Sequence, residues 1–343
     1  MPPADRGDGG VPRERPPTER AAPRDAERVS DDGRTPSRRR RGDDCQGALV
    51  LIGGACSPHG AAFGTFLDLC RGRDGGRIVA FTTASGDPET SAHAWMHDFA
   101  IAGARNVEIP IVDRRTRAQD ERIADMVREA DGVFLGGGDQ VHLVATLGGS
   151  RVERAMREAY ARGAVIAGSS AGAAALTETI MAGGERDERG ELVDLYTGPG
   201  FGFLGFRAVI DTHFAERRRL HRLFVAIAAN PDLMGLGIDE DTALVVRGHI
   251  GRVHGPGGVT FVDGRGVRFD NANEITRGGS LTLSYLRVGI VGNGYVFNLR
   301  ERELEVLLQA RRDEVGGASS LEVLRSGAMD PEEAPASEDR AVR

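Results

Sequence analysis

Short apolar runs alternate along this chain with longer stretches in which apolar residues recur at helical spacing. Ala48-Leu49-Val50-Leu51-Ile52 is apolar throughout and ends in Gly53-Gly54. Ile78-Val79-Ala80-Phe81-Thr82-Thr83 is a second run, and Val107-Glu108-Ile109-Pro110-Ile111-Val112 a third, its proline marking a strand end or edge. Gly132-Val133-Phe134-Leu135 leads into Gly136-Gly137-Gly138, and Ala164-Val165-Ile166-Ala167 into Gly168-Ser169-Ser170. Helix-like segments such as 117–130 and 151–162 lie between these runs. Strands apolar on both faces that alternate with helices predict an α/β protein with a mostly parallel, doubly wound sheet. After about residue 207 strand-like runs at 208–214, 243–254, 258–263 and 286–299 are separated by Gly and Asn turns. They predict a mixed or antiparallel C-terminal extension of the sheet, with a helix over 215–229.

The ends of the chain read differently. Residues 1–44 hold seven of the 15 prolines, 11 arginines and 10 acids, with almost no aliphatic side chains. Such a segment cannot bury enough apolar surface to offset its ordering entropy, so a disordered tail is expected. Its run Arg38-Arg39-Arg40-Arg41 is read as solvated charge rather than a nucleic-acid patch. Residues 312–343 predict a flexible C-terminal tail. A single α/β domain over 45–311 is expected between the two.

Composition narrows the chemistry. Lysine and arginine together number 44, and every one is arginine. Without lysine there is no P-loop lysine, no pyridoxal Schiff base and no Ser-Lys dyad. The net charge of −7 argues against non-specific nucleic-acid binding. Cys45, Cys56 and Cys70 form neither a Cys-x-x-Cys pair nor an even disulfide framework, which suits free thiols in a reducing, cytoplasmic setting. No apolar stretch reaches about 18 residues, and no apolar leader opens the chain, so neither a membrane span nor a secretion signal is expected.

Four segments carry candidate chemistry. Gly168-Ser169-Ser170-Ala171-Gly172 follows a buried strand and precedes the small-residue run Ala173-Ala174-Ala175. That is the strand–turn–helix setting of a nucleophile elbow, with Ser170 at its tip and the Ala171 amide free to face an oxyanion. The alternative is a tight turn where a helix packs closely on a strand. Gly136-Gly137-Gly138-Asp139-Gln140 exposes amides that would supply a second oxyanion donor, or is an ordinary strand-to-helix loop. His213, at the end of Ala208-Val209-Ile210-Asp211-Thr212, is placed as a general base or is simply a satisfied histidine. Arg219 and Arg222 beyond it are spaced to share a helix face and capture carboxylates. Asp239-Glu240-Asp241 offers an acid to orient His213, or caps a turn. Gly200-Phe201-Gly202-Phe203-Leu204-Gly205 fits G-x-G-x-x-G but has no convincing strand before it. His93 and His97 lack a third metal ligand, and no metal is expected.

In this order, the motifs resemble those of the cyanophycinase family, serine peptidases with a class I glutamine amidotransferase-like fold. The resemblance spans about residues 48–300. It runs from Leu51-Ile52-Gly53-Gly54-Ala55 through Gly198-Pro199-Gly200 and Asp211-Thr212-His213-Phe214 to Gly237-Ile238-Asp239-Glu240-Asp241-Thr242-Ala243. It implies Ser170 as nucleophile, His213 as base and Glu240 as the acid orienting it. It gives Gln140, Asp211, Arg219, Arg222 and Asn271 substrate roles and places the oxyanion hole at the amides of Asp139 and Ala171. The implied substrate is cyanophycin, poly-aspartate bearing arginine on each β-carboxyl, released as β-Asp-Arg dipeptides. Its aspartate carboxylates would meet Arg219 and Arg222 and its guanidinium acids such as Asp211. No cofactor is implied, and a homodimer is the family expectation. Two departures stand out: Cys56-Ser57-Pro58-His59 where the family usually has acids, and Thr212 where it has glutamine. They leave open a dipeptidase acting on short aspartyl or β-aspartyl peptides, and a non-catalytic binding module on the same fold. Serine at the elbow disfavours a glutamine amidotransferase, which uses cysteine there.

Overall fold

A computed structural model describes residues 47–184, 195–272 and 280–309. The expected tails, with Cys45 and the Arg38–Arg41 run, lie outside the described residues.

The first half of the chain builds a doubly wound sheet. Strand β1 (Leu49–Ile52) is followed by helix α1 (Ala61–Leu69), β2 (Arg77–Phe81), α2 (Pro88–Ile101) and β3 (Asn106–Glu108). Then come α3 (Glu121–Arg128), β4 (Gly132–Leu135), α4 (Gln140–Leu147), α5 (Arg151–Arg162), β5 (Val165–Ser169) and α6 (Ala171–Ala175). Side chains start and stop these helices. Asp87, Asp120, Asp139 and Ser150 each accept a backbone N–H in the first turn of α2, α3, α4 and α5, and Gly163 ends α5 in a left-handed conformation. The third apolar run stops early as a strand, at Glu108, two residues before Pro110.

The second half does two things rather than one. After the ribbon β6 (Thr179–Gly183) and β7 (Tyr196–Pro199) come β8 (Ala208–Thr212), α7 (Leu220–Ala229), β9 (Met234–Ile238), β10 (Ala243–Arg247) and β11 (Ile250–His254). The chain continues through β12 (Val259–Asp263), β13 (Phe269–Asp270), β14 (Leu283–Ser284), β15 (Arg287–Val291), β16 (Val296–Asn298) and β17 (Glu303–Leu304). Among the described residues nine strands form one sheet in the order β17-β16-β11-β10-β1-β5-β4-β2-β3. Strands β1, β5, β4, β2 and β3 are parallel, and β10, β11, β16 and β17 are the expected antiparallel extension. Strands β15, β12, β9 and β8 instead make a separate sheet, in which β8 and β9 run parallel. The apolar pattern marks β8, β12 and β15 as strands but does not say which sheet receives them, and β9 lies outside the expected runs. Helix α7 also begins later than expected, at Leu220, so that Arg219 stands at its N-cap position, without a side-chain capping bond, and not within the helix.

Both faces of the main sheet are dry. One is sealed by Phe63, Phe66, Phe99, Phe134 and Trp95, with ring centroids 4.7–6.5 Å apart. The other packs Leu49, Leu51, Val133, Leu135 and Ile166 against helices that include α6, whose five residues are all buried. Each such aliphatic contributes roughly 1.5–3 kcal/mol on burial. In the second sheet the buried carboxylate of Asp263 collects Arg265, Arg287 and Arg302. Burial pushes its pKa up, but the hydrogen bonds from Arg265 and Arg302 outweigh this and hold it below the ordinary aspartate value. Its ionised form therefore stabilises the fold above the unfolded aspartate pKa, and that increment is lost as pH falls through the depressed value. Asp263→Asn should cost about 3–5 kcal/mol by leaving the buried Arg302 unpaired. Urea titrations from pH 3 to 7 should show a correspondingly flatter acid limb in the variant.

Candidate active site

The carboxyl ends of β1, β5 and β4 lie side by side, since Ile52 is in register with Ser169, and Leu135 with Gly168. The chain leaves β5 into α6 through Ser170, whose backbone is strained at φ 54°, ψ −115°. The glycines around it are there for space. A Cβ on Gly168 would sit 2.3 Å from the Gly172 carbonyl carbon, and one on Gly172 would sit 2.1 Å from the Leu135 oxygen. The helix thus packs directly onto two strand ends, and the serine is forced to the tip. Its amide donates to the Ile52 carbonyl at 3.0 Å. The elbow pattern and the tight-turn alternative describe the same object.

The histidine arrives from the other sheet. Strands β8 and β9 pair in parallel with Thr212 opposite Ile238, so the residues just beyond them, His213 and Asp239-Glu240, emerge together. His213 takes a left-handed φ of 49° and its amide donates to the Gly53 carbonyl at 2.7 Å. Its Nε2 lies 3.0 Å from Ser170 Oγ, and its Nδ1 lies 2.5 Å from Glu240 Oε1. With Nδ1–H donating to Glu240, Nε2 is left to accept the serine proton. The imidazole rests on Gly54 (φ 104°), where a Cβ would come within 2.3 Å of its Cε1. Gly54→Ala should therefore displace the ring and lower kcat about 10²-fold, as misplacement of a reacting group by about 1 Å does. Circular dichroism should be unchanged.

The three acids divide the work between them. Asp239 ties two loops, accepting from the amides of Ala215 (3.0 Å) and Gly258 (2.9 Å). Glu240 faces His213. Asp241 accepts weakly from the Ser57 amide at 3.3 Å, and burial raises its pKa. The turn contacts and the contact to the imidazole thus fall on adjacent residues, Asp239 and Glu240.

Asp211 differs from the expectation. Its carboxylate is fully buried and already engaged: Arg219 Nη1 reaches Oδ1 at 3.2 Å, Arg222 Nε reaches Oδ2 at 2.7 Å, and Arg222 Nη2 also bonds Oδ1. It cannot meet an incoming guanidinium, because two guanidiniums cover it. It positions them instead. Arg219 also donates to the Thr212 carbonyl at 2.7 Å, so Thr212 contributes its backbone there. The Nη1 of Arg222 meets no acceptor among the described residues, and Arg222 lines a cavity of about 250 Å³ with Gln140, Met181, Gly183 and Leu195. Gln140 Nε2 donates to the Met181 carbonyl at 2.6 Å.

Two further residues are placed differently. The Asp139 amide donates to the Ala84 carbonyl at 2.8 Å, which removes it as an oxyanion donor; its carboxylate caps α4. Gly137 is the residue of that loop that abuts the nucleophile, since a Cβ there would lie 3.3 Å from Ser170 Cβ. Among the described residues its amide has no acceptor, and neither does that of Ala171. Asn271 is committed to its own hairpin, donating to the Ser280 carbonyl at 3.2 Å and accepting from the Thr282 amide at 2.7 Å. Cys56 lies 3.7 Å from Ser169 Oγ, and burial pushes its pKa to about 11, so it is a neutral thiol at pH 7.

The remaining motifs fall outside this site. A strand, β7, does precede Gly200, contrary to expectation. The glycine-rich segment then runs into β8 rather than a helix, so the dinucleotide-binding geometry does not form. Among the described residues no three His, Cys, Asp or Glu side chains gather closely enough to hold a metal, and no helix is long and apolar enough to cross a membrane.

Comparison with known proteins gives the family. The model of peptidase family S51 matches residues 49–253. The cyanophycinase of Synechococcus elongatus is 36% identical over 232 residues, 66% of this chain and 71% of its own length. That of Trichormus variabilis is 35% identical over 263 residues, 74% of this chain and 86% of its own. Among solved structures, a peptidase from an acI-B1 actinobacterium superposes with a TM-score of 0.58 at 20% identity, covering 74% of this chain and 97% of that one.

Proposed function

This chain belongs to peptidase family S51 and is a serine-type peptidase, and on that premise we propose that it degrades cyanophycin to β-Asp-Arg dipeptides through a Ser170-His213-Glu240 triad. The observation that carries the triad is the continuous line from Ser170 Oγ through His213 to Glu240, at 3.0 and 2.5 Å. The substrate follows from the relatives, which are cyanophycinases.

Ser170 Oγ attacks the α-peptide carbonyl while His213 Nε2 takes its proton, and Glu240 stabilises the resulting imidazolium. The oxyanion is held by the amides of Ala171 and Gly137, the latter replacing the expected amide of Asp139. The C–N bond breaks as His213 returns the proton to the leaving amine. Water, deprotonated by the same histidine, then attacks the acyl-enzyme and frees Ser170. The substrate's free carboxylates, those of its arginine branches and its C-terminal residue since each aspartate β-carboxyl is amidated, are bound by Arg222 and Arg219, which Asp211 holds in place, with Gln140 beside Arg222.

A substrate panel tests this proposal. Purified protein should release soluble dipeptide from insoluble cyanophycin and leave free Asp-X dipeptides intact. Turnover of Asp-X dipeptides without cyanophycin clearing would reassign it as an aspartyl dipeptidase. Failure of a serine-directed phosphonate to label it would favour a binding module.

A further inference from the structure

At the opposite end of the main sheet from Ser170 lies a cavity of about 750 Å³. Its floor includes Leu49 and Val246, which pair with each other at the amino end of β1, three residues before Ile52, whose carbonyl holds the Ser170 amide. At about 3.3 Å per residue, the strand alone separates the two sites by roughly 10 Å. The cavity thus lies at the other end of the strand from the reacting atoms, and the peptidase chemistry gives it no role.

Cationic side chains outnumber acids along its lining, although Glu153 and Asp263 behind them offset part of that charge. The charged and titratable side chains that line it are Arg157, Arg265, Arg300, Arg302, His249 and the phenol of Tyr160, against the single carboxylate of Asp232. Asp232 is itself paired with Arg207 at 3.0 Å, and its carbonyl accepts from Arg302 at 2.6 Å. Three of the lining arginines are braced from behind. Asp263 holds Arg265 and Arg302, while Glu153 holds Arg157, which also lies 4.8 Å over the Phe203 ring. Braced guanidiniums present donors in fixed directions and lose little entropy on meeting an anion. Arg300 and His249 differ from these: no ion pair or side-chain hydrogen bond engages either among the described residues, and both are exposed at the rim.

From this geometry we infer that the cavity is a binding site for a small organic anion carrying two or more negative charges, of phosphate or carboxylate chemistry, distinct from the peptidase site. Guanidinium forks donate bidentately to either class. The rim pair Arg300 and His249 closes on the charge, and the braced arginines hold its inner end.

Thermal unfolding of the full chain with inorganic pyrophosphate or citrate, against sodium chloride at matched ionic strength, tests the inference. One or both anions should raise Tm by several degrees with saturation, and comparing them distinguishes phosphate from carboxylate recognition. The double variant Arg300→Gln/His249→Gln, altered only at exposed positions, should fold normally, keep its peptidase activity and bind the effective anion at least tenfold more weakly. No rise beyond that in chloride would overturn the inference. So would an equal rise in wild type and double variant, which would mark a general salt effect.

Discussion

Ser170→Ala should lower kcat on cyanophycin by at least about 10⁴-fold while leaving polymer binding and Tm nearly unchanged. Removing the nucleophile of a triad removes the acyl-enzyme route altogether, and what survives comes from the oxyanion donors and binding alone. The strain at Ser170, φ 54°, is set by the close approach of α6 to β4 and β5 and not by the hydroxyl. Alanine therefore inherits the same backbone, with no new cavity. Co-sedimentation of the variant with insoluble cyanophycin separates binding from turnover. Loss of both together would mean that the substitution damaged the fold rather than the chemistry.

Glu240→Gln should cost about 10³–10⁴-fold in kcat, nearly as much, for a different reason. The carboxylate can only accept from His213 Nδ1, which leaves Nε2 as the acceptor facing Ser170. A glutamine can turn its amide toward Nδ1 and donate, which favours the tautomer protonated at Nε2. That tautomer cannot take the serine proton, although the geometry is intact. Because imidazole orientation persists, KM should change little. Glu240→Asp, which keeps an acceptor but shortens its reach, should retain more activity than the glutamine variant. The reverse order would remove the tautomer argument.

Parts of this site are legible in the sequence for a physical reason. Gly168-x-Ser170-x-Gly172 announces a turn with room for no side chain on either flank, and an apolar run before it says which strand feeds it. The Leu135 oxygen and Gly172 backbone are the atoms that demand those glycines. His213 is legible as a strand-end histidine, but its proximity to Glu240 depends on β8 and β9 pairing in parallel, which no local pattern encodes. For the same reason the later strands read as an extension of one sheet when three of them, joined by the unexpected β9, form another.

Asp211 shows the harder limit. An acid near two arginines suits a substrate guanidinium or a structural brace equally well in sequence. Only burial decides, and its side chain is 0% exposed with both arginines on it. Asp139 is similar: its residue type fits a helix cap, and whether its amide is free depends on the Ala84 carbonyl, 55 positions earlier in the chain. The seating of His213 on Gly54 is equally hidden, because the Gly53-Gly54 pair signals only a strand end until the ring above it is seen.

The most direct measurement is mass spectrometry of the soluble products released from insoluble cyanophycin by the wild-type enzyme, with Ser170→Ala run beside it. β-Asp-Arg should accumulate as the polymer clears, and neither should occur with the variant. Wild-type protein that a phosphonate labels at Ser170, yet that releases no dipeptide, would contradict the cyanophycin assignment. Dipeptide release undiminished in Ser170→Ala would contradict the triad itself.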